Sequence, residues 1–414
     1  MSSPLRANTP KAEVSATLRA ARVGRPLLSS SLVGTANRGR VIQALYDMGP
    51  TSRAELARAA GVNRTTISGI VQPLIDQNFL VELKPSPSRA GGGKPARPLW
   101  FSPDARPICG VLLMPQAVHA CIVTLEGEIQ AEESVSLPDG NGPIKPIVRT
   151  ITDCMRRVLA AAEQPPLGIG VAVGGMVDTD TGSIVAVNLA PSLSGYPLAG
   201  ELHRRFRLPI RIDHHPRALL VGDRWFGEGR GLNQFAVVYT GEVLGGAFYL
   251  NGHLHRGMAG AGGELGHTFV QADGALCRCG RRGCWDTIAT LEWLRREARE
   301  AGLKDDAGMD SARLMAMVDA RAPGAAALLD RYARNVALGI ANLQQMLALD
   351  VYILHGDVVR GGDRLLALIG EHVRRLVPLR PGAEIRLVAG DAGDEAALRG
   401  AAGLVLSDLW QLAI

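Results

Sequence analysis

The segment 263–284 reads GELGHTFVQADGALCRCGRRGC, and it carries the most specific pattern in the chain. Three thiolates and one imidazole supply the four donors that tetrahedral zinc prefers, and two glycines let the short loop close round an ion. A filled shell of four protein ligands leaves no open position for water. The segment therefore predicts a structural Zn²⁺ site; the alternative is three buried cysteines beside an unrelated histidine. The predicted ligands are His267, Cys277, Cys279 and Cys284.

The composition of the chain excludes several classes of protein. Of 414 residues, 47% are hydrophobic, which excludes a chain that is disordered throughout. No apolar run reaches the roughly 18 residues that a membrane-spanning helix needs, and a secretory signal is not recognisable. We therefore expect a cytoplasmic protein without a membrane partner, and in that reducing compartment clustered cysteines are typical of metal binding. Cys109, Cys121 and Cys154 are expected to pack as small hydrophobic residues.

Apolar runs of strand length alternate with helical patterns on both sides of the cysteine segment. Such alternation is typical of the α/β class, in which helices cover a mixed sheet. The later runs repeat the pattern and predict a second, similar lobe. The predicted strands are 108–113, 119–125, 167–173, 235–239, 244–250, 351–354 and 385–388, and the predicted helices are 144–162 and segments near Leu365 and Glu395.

Charge separates the first quarter of the chain from the rest. Residues 1–100 contain 14 Lys or Arg and 5 Asp or Glu, whereas the whole chain has a formal charge of only +5. A basic segment joined to a mildly acidic body is typical of a protein whose basic part binds a polyanion. Residues 1–34 are poor in acids and rich in Ser and Ala, and they are predicted to form a disordered basic arm. A first helix is predicted from Asn37 to Gly49.

Two further helices are predicted directly after the first. Ser52 and Glu55 form a capping-box pattern at the start of one, and Gly61 suits the left-handed residue beyond its end. Asn63 can cap the next helix, 64–77, which has an apolar inner face. Two short helices joined by a tight turn form the helix-turn-helix arrangement.

Two strand-like segments, 79–83 and 97–101, enclose a basic loop rich in Gly, Pro and Ser and predict a two-stranded wing. Short polar side chains at a helix start reach base edges, and basic groups on a flexible loop follow phosphates or enter the minor groove. We therefore predict binding to a double-stranded DNA operator; the alternative is a three-helix module that binds protein. The predicted DNA-binding residues are Asn63, Arg64, Thr65, Thr66, Ser68, Arg89, Lys94 and Arg97.

These motifs resemble the ROK family of sugar kinases and sugar-responsive repressors. The stretch 51–68, with the GGKP of 92–95, is similar to the winged helix-turn-helix of the repressors, and the segment 263–284 is similar to the family signature. The resemblance covers roughly residues 36–408. It implies a winged helix-turn-helix domain at 35–103 and a two-lobed actin/hexokinase-like ROK domain at 107–408, which binds the effector and forms oligomers.

The resemblance allows the phosphate-transfer positions of ROK kinases to be compared. Where those kinases have Asp-x-Gly-Gly-Thr, this chain has 112–116, in which Pro115 has no amide hydrogen to donate. Where they have Gly-Thr-Gly, it has Glu242 in the middle, and like charge repels a polyphosphate. Their Asn-Asp pair, whose Asp is the general base, is His214-His215 here. The protein is therefore predicted not to be an enzyme; the alternative is a sugar kinase with an added DNA-binding module.

The resemblance further implies a sugar site that is retained in part. Two imidazoles replace an amide and a carboxylate, which removes acceptors that a plain hexose uses. The open alternatives are an amino sugar, an acidic sugar derivative, a sugar phosphate, and a pocket that binds no sugar. The residues at the effector-binding positions are Ser192, His214, His215, Glu264, His267 and Asp286.

These features together predict a transcriptional repressor of carbohydrate metabolism genes, a homodimer or homotetramer controlled by a sugar or sugar derivative. A repressor with a dead sugar pocket, regulated by a protein partner, is the alternative of the same class. The wing joins the body near 103–107, so a change in the angle between the lobes is expected to alter the spacing of two recognition helices in a dimer.

Overall fold

The computed structural model describes residues 30–85, 96–187, 190–303, 306–378 and 384–410. Within these ranges the chain forms a small N-terminal domain and two lobes, each built on a five-stranded sheet. No helix of the described ranges is long and apolar enough to cross a bilayer. Of the predicted arm, residues 1–29 lie outside the described residues.

The N-terminal domain combines three helices with a small antiparallel sheet. Its elements are α1 (Ser30–Met48), β1 (Thr51–Ser52), α2 (Arg53–Ala59), α3 (Arg64–Asp76), β2 (Leu80–Glu82) and β3 (Pro98–Phe101). The strand order is β1-β3-β2, so the two predicted wing strands pair and a short third strand joins them. Helix α1 begins at Ser30, earlier than predicted, so residues 30–34, which the sequence assigned to the disordered arm, are helical.

The local signals of the helix-turn-helix are present as predicted. The Ser52 side chain accepts from the Glu55 amide while the Glu55 carboxylate accepts from the Ser52 amide, which completes the capping box. Gly61 has φ +65°, a conformation that costs glycine little. Asn63 caps α3 by accepting from the Thr66 amide at 2.8 Å. The two caps fix where α2 and α3 begin, and Gly61 allows the turn between them.

The first lobe is a mixed sheet with helices. Its elements are β4 (Ile108–Leu113), β5 (Ala117–Val123), β6 (Ile129–Ser136), α4 (Ile144–Ala160), β7 (Ile169–Val173), β8 (Met176–Asp178), β9 (Ser183–Ala186), α5 (Leu198–Phe206), β10 (Ile210–His214) and α6 (His215–Phe226). The order is β10-β7-β4-β5-β6, with three parallel strands followed by an antiparallel pair. β8 and β9 form a separate hairpin.

The second lobe repeats this plan, as the sequence predicted. Its elements are β11 (Phe235–Thr240), β12 (Gly245–Leu250), β13 (His253–Leu254), α7 (Leu291–Glu300), α8 (Ser311–Asp319), α9 (Ala325–Leu347), β14 (Val351–Gly356), α10 (Asp357–Arg360), α11 (Gly362–Leu376) and β15 (Arg386–Ala389). The order is β13-β12-β11-β14-β15, again three parallel strands and an antiparallel extension. The last helix, α12 (Glu395–Leu409), returns to the first lobe.

Helices α6 and α12 lie at the centre of the molecule and pack with their backbones in close contact. An added Cβ at Gly400 would stand 1.8 Å from the Ala218 carbonyl oxygen, and one at Gly222 would stand 2.4 Å from the Ala396 carbonyl oxygen. Both helices share one hydrophobic core with residues from both sheets and from the N-terminal domain, for example Leu45. The N-terminal domain is therefore packed against the body.

Candidate functional site

The predicted zinc ligands lie together in the second lobe. One donor atom from each of His267, Cys277, Cys279 and Cys284 falls within 4.8 Å of the others. Sulfurs bound at about 2.3 Å to one tetrahedral ion are about 3.8 Å apart, and the Cys279 and Cys284 sulfurs are 3.7 Å apart. The Cys277 sulfur is 3.7 Å from His267 Nδ1. The donor set and its spacing fit a metal ion.

Glycine makes this cluster possible. Gly283 has φ +75°, and a Cβ there would stand 1.6 Å from the Gln271 carbonyl oxygen, so the loop crosses the chain with no room for a side chain. Burial raises the pKa of Cys279, but hydrogen bonds from the backbone and side chain of Arg281 outweigh this and lower the pKa to about 7. The thiolate, which is the form that binds metal, is therefore favoured at Cys279.

A cleft of about 180 Å³ lies between the lobes and contains five of the six predicted effector positions. Pockets for drug-sized ligands measure about 300–1,000 Å³, so this cleft suits a smaller molecule. Ser192 is not among its lining residues, because the Ser192 hydroxyl is directed away and donates to the Gly142 carbonyl at 2.6 Å. The five predicted residues that line the cleft are His214, His215, Glu264, His267 and Asp286.

Burial sets the charge of the cleft. It lowers the pKa of both His214 and His215 to about 3, so these imidazoles are neutral near pH 7. Burial raises the pKa of Glu264 and of Asp286. The Asp286 carboxylate accepts from the Leu244 amide at 2.9 Å. The cleft thus presents two neutral rings with one acceptor each, and carboxyl oxygens.

The stretches that correspond to phosphate-binding turns also line the cleft. Met114, Pro115 and Gln116 form one wall, and Glu242 with Val243 forms part of another. The Glu242 carboxylate is half-exposed and pairs with Arg295 at 2.8 Å. A proline ring, which has no amide hydrogen to donate, and a carboxylate therefore line this part of the cleft.

The sequence did not reveal two arginines that organise the cleft. Arg278, between two cysteines of the cluster, lines the cleft and lies 3.5 Å from Asp286. Arg217, fully buried, pairs with Asp213 and donates to the Gly260 and Gly262 carbonyls at 2.9 and 3.0 Å. Its four-residue spacing from Asp213 across a strand end was the available signal. This network fastens the loop before Glu264 to the start of α6.

The predicted DNA-reading residues form an exposed edge on the N-terminal domain. Arg64, Thr65 and Thr66 are exposed at the start of α3, and Ser68 is half-buried. Asn63 and Thr66 bond to each other through the helix cap. Arg97, at the base of the wing, is 62% exposed and lies 3.7 Å from Glu82. The predicted contacts Arg89 and Lys94 lie outside the described residues.

Comparison with known proteins gives the family. The family model described as "ROK family" matches residues 113–408. The chain is similar to a xylose repressor of Caldicellulosiruptor bescii, with 25% identity over 92% of this chain and 97% of that protein. It is also similar to a glucokinase of Halalkalibacterium halodurans, with 28% identity over 70% of this chain and 91% of that protein.

Structural comparison covers the whole architecture. A crystal structure of a ROK family transcriptional regulator, described as a homolog of the E. coli MLC protein, aligns with TM-score 0.75 and 20% identity over 92% of this chain and 98% of that one. At this identity the likeness shows the fold, including the arrangement of N-terminal domain and lobes. With the match to residues 113–408, it follows that the chain belongs to the ROK family.

Proposed function

We propose that this protein is a DNA-binding transcriptional repressor of carbohydrate metabolism genes, controlled by a sugar or sugar derivative that binds between the two ROK lobes. The observation that carries the proposal is the joining of an exposed helix-turn-helix edge to a cleft whose phosphate-binding turns are replaced. The similar xylose repressor, matched over 97% of its length, supports the same role.

The charge of the cleft favours a neutral sugar or an amino sugar as the effector. The carboxyl groups of Glu264 and Asp286 face the cleft together with one guanidinium, that of Arg278, while the Glu242 carboxylate is paired with Arg295. A phosphate or carboxylate on the ligand would add negative charge to this excess. Acidic sugars and sugar phosphates are therefore expected to bind more weakly than their neutral counterparts.

DNA selection with the purified full chain tests the repressor role. Genomic fragments retained at low salt are expected to contain paired half-sites separated by whole helical turns, because we propose a homodimer or homotetramer. Light scattering measures the assembly. Retention should weaken steeply with salt as counterions return to phosphate. Arg64→Ala is expected to reduce specific retention about tenfold or more, whereas Arg299→Ala, far along the chain in the second lobe, should not.

The competing function is a sugar kinase with an added DNA-binding module, which the glucokinase similarity keeps as the alternative. A coupled ATP-hydrolysis assay with D-glucose, D-xylose and D-glucosamine separates the two. We expect turnover at background for all three sugars. Sugar-dependent turnover would contradict the proposal that the cleft is catalytically inactive.

We also propose that the His267 and cysteine cluster holds one structural Zn²⁺. Four protein donors at tetrahedral spacing leave no ligand position for substrate. The ion would fix the loop that carries Arg278 and the turn that carries Glu264, so the metal would shape the cleft without taking part in chemistry there.

A further inference from the structure

Helix α6 extends from the cleft to the N-terminal domain. It has 12 residues and so is about 18 Å long, at 1.5 Å per residue. Its first two residues, His215 and Pro216, line the cleft. Every residue from His215 to Trp225 is buried, and a buried helix moves with little internal deformation.

At the cleft end, the second lobe touches the first turn of α6. The His215 ring packs edge-on against Tyr239 of β11, with ring centres 4.8 Å apart. An added Cβ at Gly245 of β12 would stand 2.7 Å from Pro216 Cγ. A shift of the second lobe relative to the first must therefore press on this turn or release it.

At the other end, α6 is bonded to α1. Both terminal nitrogens of Arg224 donate to the two carboxylate oxygens of Asp47, at 2.6 and 3.0 Å. The Arg224 side chain is only 5% exposed and that of Asp47 is 25% exposed, so the two-point ion pair is shielded from water on the Arg224 side. The Tyr46 ring packs on Trp225 and Phe226 at 4.8 and 5.6 Å.

Helix α1 in turn packs directly on α3, the helix whose start carries the predicted DNA-binding residues. Ile42 and Leu45 of α1 share a core with Ile67 and Val71 of α3. The sequence predicted that the lobes act on the N-terminal domain through the connecting segment 103–107. The contacts of α6 and α1 provide a route that does not include this segment. They form a continuous packed path from the cleft to the base-reading turns of α3.

We propose that α6 is the lever through which the cleft controls the N-terminal domain, with the Arg224–Asp47 pair as its attachment point. This inference rests on the proposed function for its purpose, but it concerns a mechanical coupling that exists in the free protein. Movement at Pro216 is carried along α6 to Asp47, and from α1 to α3.

A double-mutant cycle in the full chain tests this coupling without sugar or DNA. Gly245→Ala pushes on Pro216 from the second lobe, and hydrogen–deuterium exchange is followed in peptides covering 41–48. We expect Gly245→Ala to change exchange there by about two- to thirtyfold, and the change to disappear in the Arg224→Ala background. Pro216→Ala, which removes the ring at the same contact, replaces Gly245→Ala if that variant does not fold.

Two controls make the result specific. Gly361→Ala introduces a Cβ 2.4 Å from a Leu365 side-chain carbon elsewhere in the second lobe and should leave 41–48 unchanged. Arg157→Ala breaks the surface pair with Glu133 and should leave the Gly245→Ala effect intact. A change in exchange that is confined to 214–220, or that has equal size with and without Arg224, would contradict the proposed coupling through α6.

The same variants separate this inference from the proposed function. If the full chain selects no DNA, the repressor role is contradicted, while the exchange experiment still tests the coupling through α6. If DNA and a sugar of the panel both bind, Arg224→Ala should keep sugar binding, measured by calorimetry, and lose at least about fivefold of the sugar effect on DNA affinity. An unchanged effect of sugar on the DNA affinity of Arg224→Ala would contradict the coupling through α6 but not the repressor role.

Discussion

The cysteine cluster and the cleft share His267, yet they differ in how much of the ROK pattern they contain. In the cluster, all four donors of the signature are present and their spacing fits one tetrahedral ion. In the cleft, His214, His215, Pro115 and Glu242 stand at positions where the resemblance to ROK kinases implies other residues. The difference teaches that two sites which share a residue can depart from a family pattern to different degrees.

Removing one cluster ligand should give the largest effect. Cys279→Ser is expected to reduce zinc from about one per chain to below about 0.1, because three donors hold the ion poorly. Loss of the metal should lower Tm by about 10 °C. Elemental analysis and thermal denaturation measure both. Cys154→Ser, at a buried cysteine away from the cluster, should keep the zinc; equal zinc in the two variants would contradict the ligand assignment.

Removing a cleft carboxylate should leave the cluster whole. For any of D-glucose, D-xylose or D-glucosamine that binds the wild type, Glu264→Ala is expected to weaken binding about 10- to 100-fold, since hydrogen bonds to charged groups contribute about 1.5–3 kcal/mol. Calorimetry gives the affinity and elemental analysis the zinc content. The exposed Glu371→Ala serves as the control. Normal sugar binding by Glu264→Ala would place the effector elsewhere.

Restoring the Asn-Asp residues of ROK kinases should not restore catalysis. His214→Asn with His215→Asp returns amide and carboxylate acceptors and is expected to strengthen binding of a neutral sugar by about tenfold. ATP turnover should stay at background because Pro115 and Glu242 still occupy the phosphate turns. Surface variant His203→Asn is the control. Measurable turnover would show that the base alone separates this protein from a kinase.

The two cleft histidines should make stability depend on pH. Their folded pKa of about 3 lies below the unfolded value near 6.5, so their contribution is fully present above pH 6.5 and is lost as pH falls. Between pH 7.5 and 5.5 each histidine should cost about 1.4 kcal/mol of unfolding free energy. Urea unfolding of the wild type and of His215→Gln, both in the Cys279→Ser background, isolates the term from metal loss. Identical slopes would contradict it.

Features encoded in adjacent residues were predictable from the sequence. The Ser52–Glu55 cap, the turn at Gly61 and the start of α3 depend on contacts three or four residues apart. The cysteine cluster spans one short segment, so spacing alone indicated which four residues come together. Seven strands of the two lobes followed from their apolar runs, with differences of a few residues at their ends, whereas β6, β8, β9, β10 and β13 were not predicted.

Features that depend on contacts between distant residues could not be predicted from the sequence. The Asp47–Arg224 pair joins positions 177 residues apart, and neither residue stands in a distinctive local pattern. Ser192 was placed in the cleft by correspondence with the family, whereas its hydroxyl is used by Gly142, 50 residues away. The third strand, β1, has only two residues and gives no periodic signal.

The backbone contact between α6 and α12 has a consequence for which sequences this fold tolerates. At Gly400 even one methyl group would overlap the Ala218 carbonyl oxygen, and that oxygen belongs to a buried helix that cannot yield. Selection from a randomised codon at position 400 should therefore return glycine almost alone. The contact between α6 and α12 is thus a place where mutational drift is restricted by packing alone, away from the residues that line the cleft.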